Sequence, residues 1–120
     1  YTTVPFHHAA SRQLVDIFQP EIQWVGGLTA LTKLCAHAEA AGISVIPHGG
    51  GNTPYGQHAC YAMAAIPWTE CFVATAPGVP PEEAVRLPGM AAPKAGRMVP
   101  SDGPGFGVEI TEDMLSPFQY

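Results

Sequence analysis

Residues 43–51 have the sequence Ile-Ser-Val-Ile-Pro-His-Gly-Gly-Gly, a short apolar run that stops at a histidine and is followed by three glycines. A run of this length that contains β-branched residues predicts a buried strand. The glycines allow a sharp turn and leave room for something to approach the backbone. We therefore predict a strand that delivers the side chain of His48 to a rim that faces a ligand.

Two apolar runs of similar character flank this strand. Residues 15–19 precede it and stop at Pro20, and residues 69–75 follow it. A helix over 28–41 is predicted between the first two runs, because its apolar residues are spaced for a single helical face. That face consists of Leu28, Leu31, Leu34, Cys35 and Ala38.

Local signals mark where the helices start and stop. Gly42 is placed to end the first long helix in a left-handed conformation. Thr53 and Pro54 predict the start of a second helix, with Thr53 as the N-cap and Pro54 at the first helical position, and this helix should run to about residue 66. A shorter helix is predicted over 5–14. The alternation of strands and helices predicts βαβ units, a parallel sheet and the α/β class.

The character of the chain changes after residue 76. Residues 77–120 are rich in proline and glycine and predict an extended C-terminal tail, with a turn at 81–86 and a strand-like pattern at 105–110. We therefore divide the chain into residues 1–76, which carry the βα units, and the tail. Three strands do not close a barrel, so the chain is expected to be the last portion of something larger.

Composition excludes several classes of function. The 120 residues carry a net charge of −5 with only five Lys and Arg, which disfavours partners such as nucleic acids and anionic membranes. No apolar run reaches transmembrane length. The three cysteines lack C-x-x-C spacing, which argues against a disulfide framework or zinc finger and favours a reducing, cytoplasmic environment.

Five stretches resemble enolase-superfamily enzymes of the mandelate racemase type. They are residues 16–22, 24–29, 45–49, 67–71 and 104–109. Within that superfamily the resemblance is nearest to the L-rhamnonate dehydratase group. It implies the C-terminal part of a TIM-type barrel, about the last three strands with their helices, followed by a tail that returns toward a capping domain.

The resemblance also implies a chemistry. Family members bind Mg²⁺ through three carboxylates, and the metal stabilises an enediolate after the proton α to the substrate carboxylate is removed. In this sequence His48 corresponds to the acid/base of the seventh strand, and Glu70 to a glutamate of the eighth that contacts the substrate. In the dehydratases a hydroxyl then leaves to give a 2-keto-3-deoxy sugar acid. A racemase or epimerase, or a non-catalytic relative, remains the alternative.

One position departs from the family pattern. Glu21 stands where family members have an Asp that fixes the tautomer of the catalytic His. The sequence separation of 27 from Glu21 to His48 agrees with one βα unit that links neighbouring strand ends. We therefore expect Glu21 and His48 to form a dyad whose geometry is shifted by one methylene; the alternative is a solvated loop carboxylate.

Other expectations concern substrate, metal and assembly. Gly49, Tyr55 and His58 lie near the predicted rim and are candidate contacts for a small acid-sugar substrate. No metal ligands are recognisable in this chain, so the Mg²⁺ ligands are expected outside it. His7 and His8 are expected to be a partly exposed pair. The isolated chain should be inactive, and the full-length enzyme is expected to be a homo-oligomer.

Overall fold

The computed structural model describes residues 2–73, 75–84 and 86–115. Two short strands form a parallel pair, β1 (Ile17–Phe18) and β2 (Ser44–Val45). Ile17 lies opposite Ser44, and Phe18 lies opposite Val45. The parallel pairing predicted for the first two apolar runs is therefore confirmed.

The ladder of backbone hydrogen bonds continues beyond the assigned strands. Ile46 N–H donates to the carbonyl of Phe18 at 2.8 Å, and His48 N–H donates to the carbonyl of Pro20 at 3.0 Å. The register of a parallel pair repeats every two residues on each strand. The ends of both runs therefore lie side by side at one edge of the sheet.

The described ranges also contain four α-helices. Their bounds are α1 Val4–Ser11, α2 Ile22–Val25, α3 Gly27–Ala40 and α4 Pro54–Ala62, and single 3₁₀ turns occur at Gly50–Asn52, Pro81–Glu83 and Glu112–Met114. None of the helices in the described ranges is long and apolar enough to cross a membrane. The short helix α2 was not predicted from the sequence.

The two long predicted helices agree with the structure at three of their four ends, whereas α1 ends at Ser11 and not at the predicted residue 14. Helix α3 is followed by Gly42, whose φ of +70° is the predicted left-handed conformation. Helix α4 begins as predicted, with the Thr53 hydroxyl accepting from Gly56 N–H at 3.2 Å. It ends at Ala62, before the predicted residue 66, and beyond it the Ala65 carbonyl accepts from Val45 N–H of β2 at 2.8 Å.

The hydrophobic core lies between α3 and the strand pair. Leu31, Leu34 and Val45 are fully buried. Phe6 of α1 packs edge-on against Phe18 of β1, with ring centroids 5.2 Å apart. The buried apolar residues are Ala10, Phe18, Ile22, Val25, Leu31, Leu34, Cys35, Ala38, Ile43, Val45, Ala59, Ala65 and Ile66. The apolar face predicted for α3 is thus the face that the fold buries, with Leu28 partly exposed at its edge.

The third predicted strand is wrong for the described part of that segment. Residues 69–73 and 75 adopt no strand, and residue 74 lies outside the described residues. Backbone groups of this segment bind the glycine-rich loop instead: Gly51 N–H donates to the carbonyl of Glu70 at 2.8 Å. These groups are therefore not available for a continuous ladder along β2.

The tail contains little regular structure, as expected. The predicted turn at 81–86 is present as the 3₁₀ turn at its start. The strand-like pattern at 105–110 does not form a strand. Its apolar side chain Phe106 instead packs on the ring of Tyr55 from α4, and Glu109 N–H donates to the carbonyl of Pro88 at 3.0 Å. Residues 116–120 of the predicted tail lie outside the described residues.

Candidate active site

The edge of the strand pair brings together the two members of the predicted dyad. His48 N–H is bonded to the carbonyl of Pro20, so the residue that follows Pro20 lies beside His48. Glu21 Oε2 is 2.9 Å from His48 Nδ1. The extra methylene of glutamate, relative to the aspartate of the family pattern, therefore does not prevent the contact.

Both carboxylate oxygens of Glu21 are engaged. Oε1 accepts from the backbone N–H of Gln23 at 3.3 Å and so caps the N-terminus of α2. Since a carboxylate accepts a proton at Oε2, the Nδ1 atom of His48 is the donor, and the lone pair of the neutral imidazole lies on Nε2. The His48 side chain is 49% exposed. This arrangement presents Nε2 as a base that a ligand can reach.

The surroundings of His48 raise its pKa above the ordinary value of 6.5. The hydrogen bond that His48 donates to Glu21 is the main cause, partial desolvation opposes it, and the negative charges of Glu70 and Glu21 add to it. An imidazole with a raised pKa holds an abstracted proton more firmly. The site is therefore electrostatically suited to receive a proton at His48.

Glu70 joins the same site through the loop and the end of β1. Its Oε2 accepts from Gly49 N–H at 2.6 Å, and its Oε1 accepts from Gln19 Nε2 at 3.1 Å. Both oxygens accept hydrogen bonds within the chain, and contact of Glu70 with substrate stays a prediction. Gln19 was not proposed as a site residue, although its place directly before Pro20 at a strand end was a usable signal.

Gly49 lies between these carboxylates and the ring of Phe72. Its φ is +58°, and an added Cβ would lie 2.9 Å from Phe72 Cε2. The space that this glycine leaves is therefore filled by a side chain of the same protein. The N–H of Gly49 is already bound to the Glu70 carboxylate. A direct contact between Gly49 and substrate stays a prediction.

Tyr55 and His58 of α4 lie beside the tail. The Tyr55 hydroxyl accepts from Gln23 Nε2 at 2.6 Å, and His58 Nε2 lies 3.0 Å from the carbonyl of Phe106. Gln23 thus connects Tyr55 to Glu21, because its backbone N–H binds the same carboxylate. His58 is turned toward the tail by its bond to Phe106. Contact of either side chain with substrate stays a prediction.

The described residues form no group of three or more His, Cys, Asp or Glu side chains that would hold a metal ion. Of the two N-terminal histidines, His7 lies against His37 of α3, with ring centroids 4.5 Å apart. Both side chains are exposed. His7 and His8 were expected to be a partly exposed pair, and both are exposed on α1.

Comparisons with known proteins identify the family. Residues 1–114 match the family described as enolase C-terminal domain-like. A protein of Caldivirga maquilingensis that is provisionally named L-rhamnonate dehydratase is 38% identical over 108 residues, and the match covers 88% of this chain and 27% of that protein.

Solved structures give the same result. The crystal structure of L-rhamnonate dehydratase from Gibberella zeae superposes with a TM-score of 0.76 at 30% identity, covering 95% of this chain and 30% of that one. L-talarate dehydratase from Polaromonas sp. JS666, complexed with Mg and L-glucarate, superposes with a TM-score of 0.63 at 23% identity, covering 94% and 29%, and supports the fold alone. The chain spans less than a third of the length of these relatives. The resemblance seen in the sequence is confirmed, and this α/β chain belongs to the enolase C-terminal domain-like family of the enolase superfamily.

Proposed function

We propose that the chain is the C-terminal part of an acid-sugar dehydratase of the L-rhamnonate dehydratase type. The observation that carries the proposal is the 2.9 Å contact between His48 Nδ1 and Glu21 Oε2 at the ends of two neighbouring parallel strands. The similarity to proteins named L-rhamnonate dehydratase supports the substrate class. In this proposal residues 1–76 form the last βα units of a TIM-type barrel.

The proposed reaction uses the free nitrogen of His48. Nε2 removes the proton α to the substrate carboxylate, and the C–O bond of the hydroxyl on the next carbon then breaks. The leaving hydroxyl takes up a proton and departs as water. The resulting enol gains a proton at the carbon that lost the hydroxyl and loses its own hydroxyl proton, which gives the 2-keto-3-deoxy sugar acid. Glu21 holds the Nδ1–H tautomer and stabilises the imidazolium that forms.

The described residues do not supply the metal site of the family. A crystal structure of rhamnonate dehydratase from Gibberella zeae is complexed with Mg, at a TM-score of 0.70 and 28% identity to this chain. We propose that Mg²⁺ is held by carboxylates outside this chain, where it would neutralise charge on the substrate carboxylate. We also propose that Glu70 contacts the substrate at this site, while its carboxylate holds the loop backbone at Gly49, next to His48.

A panel of acid sugars tests the proposal. Full-length protein that contains this chain, supplied with Mg²⁺, is incubated with each sugar acid, and 2-keto-3-deoxy products are measured. We expect turnover of L-rhamnonate, with the His48→Asn variant as the inactive control. Solvent deuterium incorporation at the α carbon without a keto product would instead identify a racemase or epimerase. Absence of both exchange and product across the panel would contradict the proposal.

A further inference from the structure

The side chain of Asn52 makes hydrogen bonds of the kind that a neighbouring strand would make with the segment predicted as the third strand. Asn52 Nδ2 donates to the carbonyl of Phe72 at 3.1 Å, and Phe72 N–H donates to Asn52 Oδ1 at 2.7 Å. A carboxamide offers one donor and one acceptor, as a peptide unit does. The Asn52 carboxamide therefore binds both the N–H and the carbonyl group of Phe72 and so fixes the backbone of that residue.

The ring of Phe72 in turn contacts the imidazole of His48. The two ring centroids are 5.1 Å apart and the planes are inclined by 70°, an edge-to-face arrangement. Phe72 also occupies the space beside Gly49, where an added Cβ would meet its Cε2 atom. The position of Phe72 thus limits where the His48 ring can lie.

Burial does not hold these two rings in place. Phe72 is 49% exposed, and the His48 side chain is exposed to the same degree. An exposed side chain keeps its orientation through its specific partners. For His48 these partners are Glu21 at Nδ1 and Phe72 against the ring.

We propose that Asn52 is a positioning residue for His48, which acts by fixing the backbone of Phe72 so that the aromatic ring holds the imidazole and aims Nε2 at the substrate. The effect of Asn52 on the rate rests on the proposed dehydratase function, whereas the effect of Asn52 on the orientation of His48 does not. Asn52 itself is exposed, and the bond from Gly51 N–H to the carbonyl of Glu70 keeps the loop attached without it. Removing the carboxamide should therefore release Phe72 and spare the fold.

The first test measures His48 without any substrate. In full-length protein labelled with ¹³C at histidine Cε1, the His48 resonance is assigned by its loss in His48→Asn. Asn52→Ala and Phe72→Leu should move that resonance in the same direction, because both remove the ring from the imidazole. Gln13→Ala is the matched control, since Gln13 is an exposed carboxamide that donates to the backbone carbonyl of Ala41 at 3.3 Å. It should leave the resonance unchanged.

The second test measures the rate. Misplacement of a catalytic group by about 1 Å costs on the order of 10²-fold, so we expect Asn52→Ala to lower kcat by about 10-fold with KM changed by less than about twofold. Because Asn52 acts through Phe72, the double variant Asn52→Ala/Phe72→Leu should be no slower than Phe72→Leu alone.

The outcomes separate the two proposals. An unchanged His48 resonance in Asn52→Ala, or additive losses of kcat in the double variant, would overturn the role of Asn52. If no acid sugar is turned over, the dehydratase proposal fails and the resonance alone decides the role of Asn52. If Asn52→Ala does not fold, the Phe72→Leu variant decides the role of Asn52. An unchanged His48 resonance in Phe72→Leu would show that the Phe72 ring does not position His48, and this would overturn the proposal.

Discussion

At the scale of single residues, the chemistry proposed for this chain depends on the contact between Glu21 and His48. The raised pKa of His48 means that the folded state binds its proton more tightly than the unfolded state. The contact therefore contributes stability below the ordinary pKa of 6.5, and this contribution is lost as the pH rises through the higher pKa of the folded state. In the proposed mechanism, catalysis by the neutral imidazole has the opposite requirement, so the rate should increase with pH through the same value.

His48→Asn should abolish turnover of the acid sugar and exchange of its α proton in the full-length protein. Asparagine offers no base near neutral pH. Metal binding should be nearly unchanged, because we propose that the Mg²⁺ ligands lie outside this chain. Deuterium exchange followed by NMR and Mg²⁺ titration measure the two properties. Undiminished turnover would remove His48 from the mechanism.

Glu21→Gln should lower the rate strongly and shift its dependence on pH. The substitution removes the hydrogen bond and charge that raise the pKa of His48, so the rising limb of the kcat–pH profile should move to lower pH. Glu21→Asp keeps the charge and a cap for α2, and restores the family residue, so it should keep or raise the rate. A limb that stays in place in Glu21→Gln would argue that Glu21 does not set the His48 pKa.

At the scale of elements, helix α4, which follows the glycine-rich loop, depends on its N-cap residue Thr53. The Thr53 hydroxyl satisfies the N–H of Gly56, and Gly56 itself is packed so closely that an added Cβ would lie within 2.2 Å of the Gly50 carbonyl oxygen. Inside α4, the buried side chain of Gln57 donates to the carbonyls of Gly51 and Ala91 at 2.9 and 3.0 Å. This helix therefore links the loop beside His48 to the tail.

Thr53→Ala should destabilise the protein by about 1 kcal/mol, the usual cost of removing an N-cap acceptor. Chemical denaturation of the full-length protein measures this change. Thr53→Ser is the matched control, because it keeps the hydroxyl and should stay near the wild-type midpoint. Equal losses in both variants would show that the methyl group of Thr53, rather than its hydroxyl, supports α4.

At the scale of the whole molecule, the strand pair leaves apolar surface uncovered. Ile17 of β1 is 53% exposed, and Trp68, before the segment that was predicted as a strand, is 73% exposed. In an isolated chain such edges and patches pair with other copies. Covering them requires further protein.

The 120-residue chain on its own should therefore be marginally stable or aggregation-prone. Light scattering and calorimetry on the purified chain test this expectation. Ile17→Lys places a charge on the exposed strand and should lower the aggregated fraction. A monodisperse monomer with a cooperative thermal transition would contradict the prediction.

Local sequence determined much of this fold. The bounds of α3, the left-handed Gly42 after it and the Thr53 cap of α4 follow from helical spacing and from backbone preferences within a few residues. The contact between Glu21 and His48 was also predictable, because one βα unit places consecutive parallel strand ends side by side.

Tertiary structure decided the remaining features, because they depend on partners far apart in the sequence. Residues 69–73 carry a strand-like pattern, yet Asn52 and Gly51 take their hydrogen bonds. Helix α4 ends at Ala62, and beyond it the Ala65 carbonyl accepts from Val45 N–H. The ring of Phe72 reaches His48, across 24 residues of sequence, through packing that no local pattern encodes. Periodicity reports which face of an element is buried, whereas the groups that meet at a site are selected by how the elements pack.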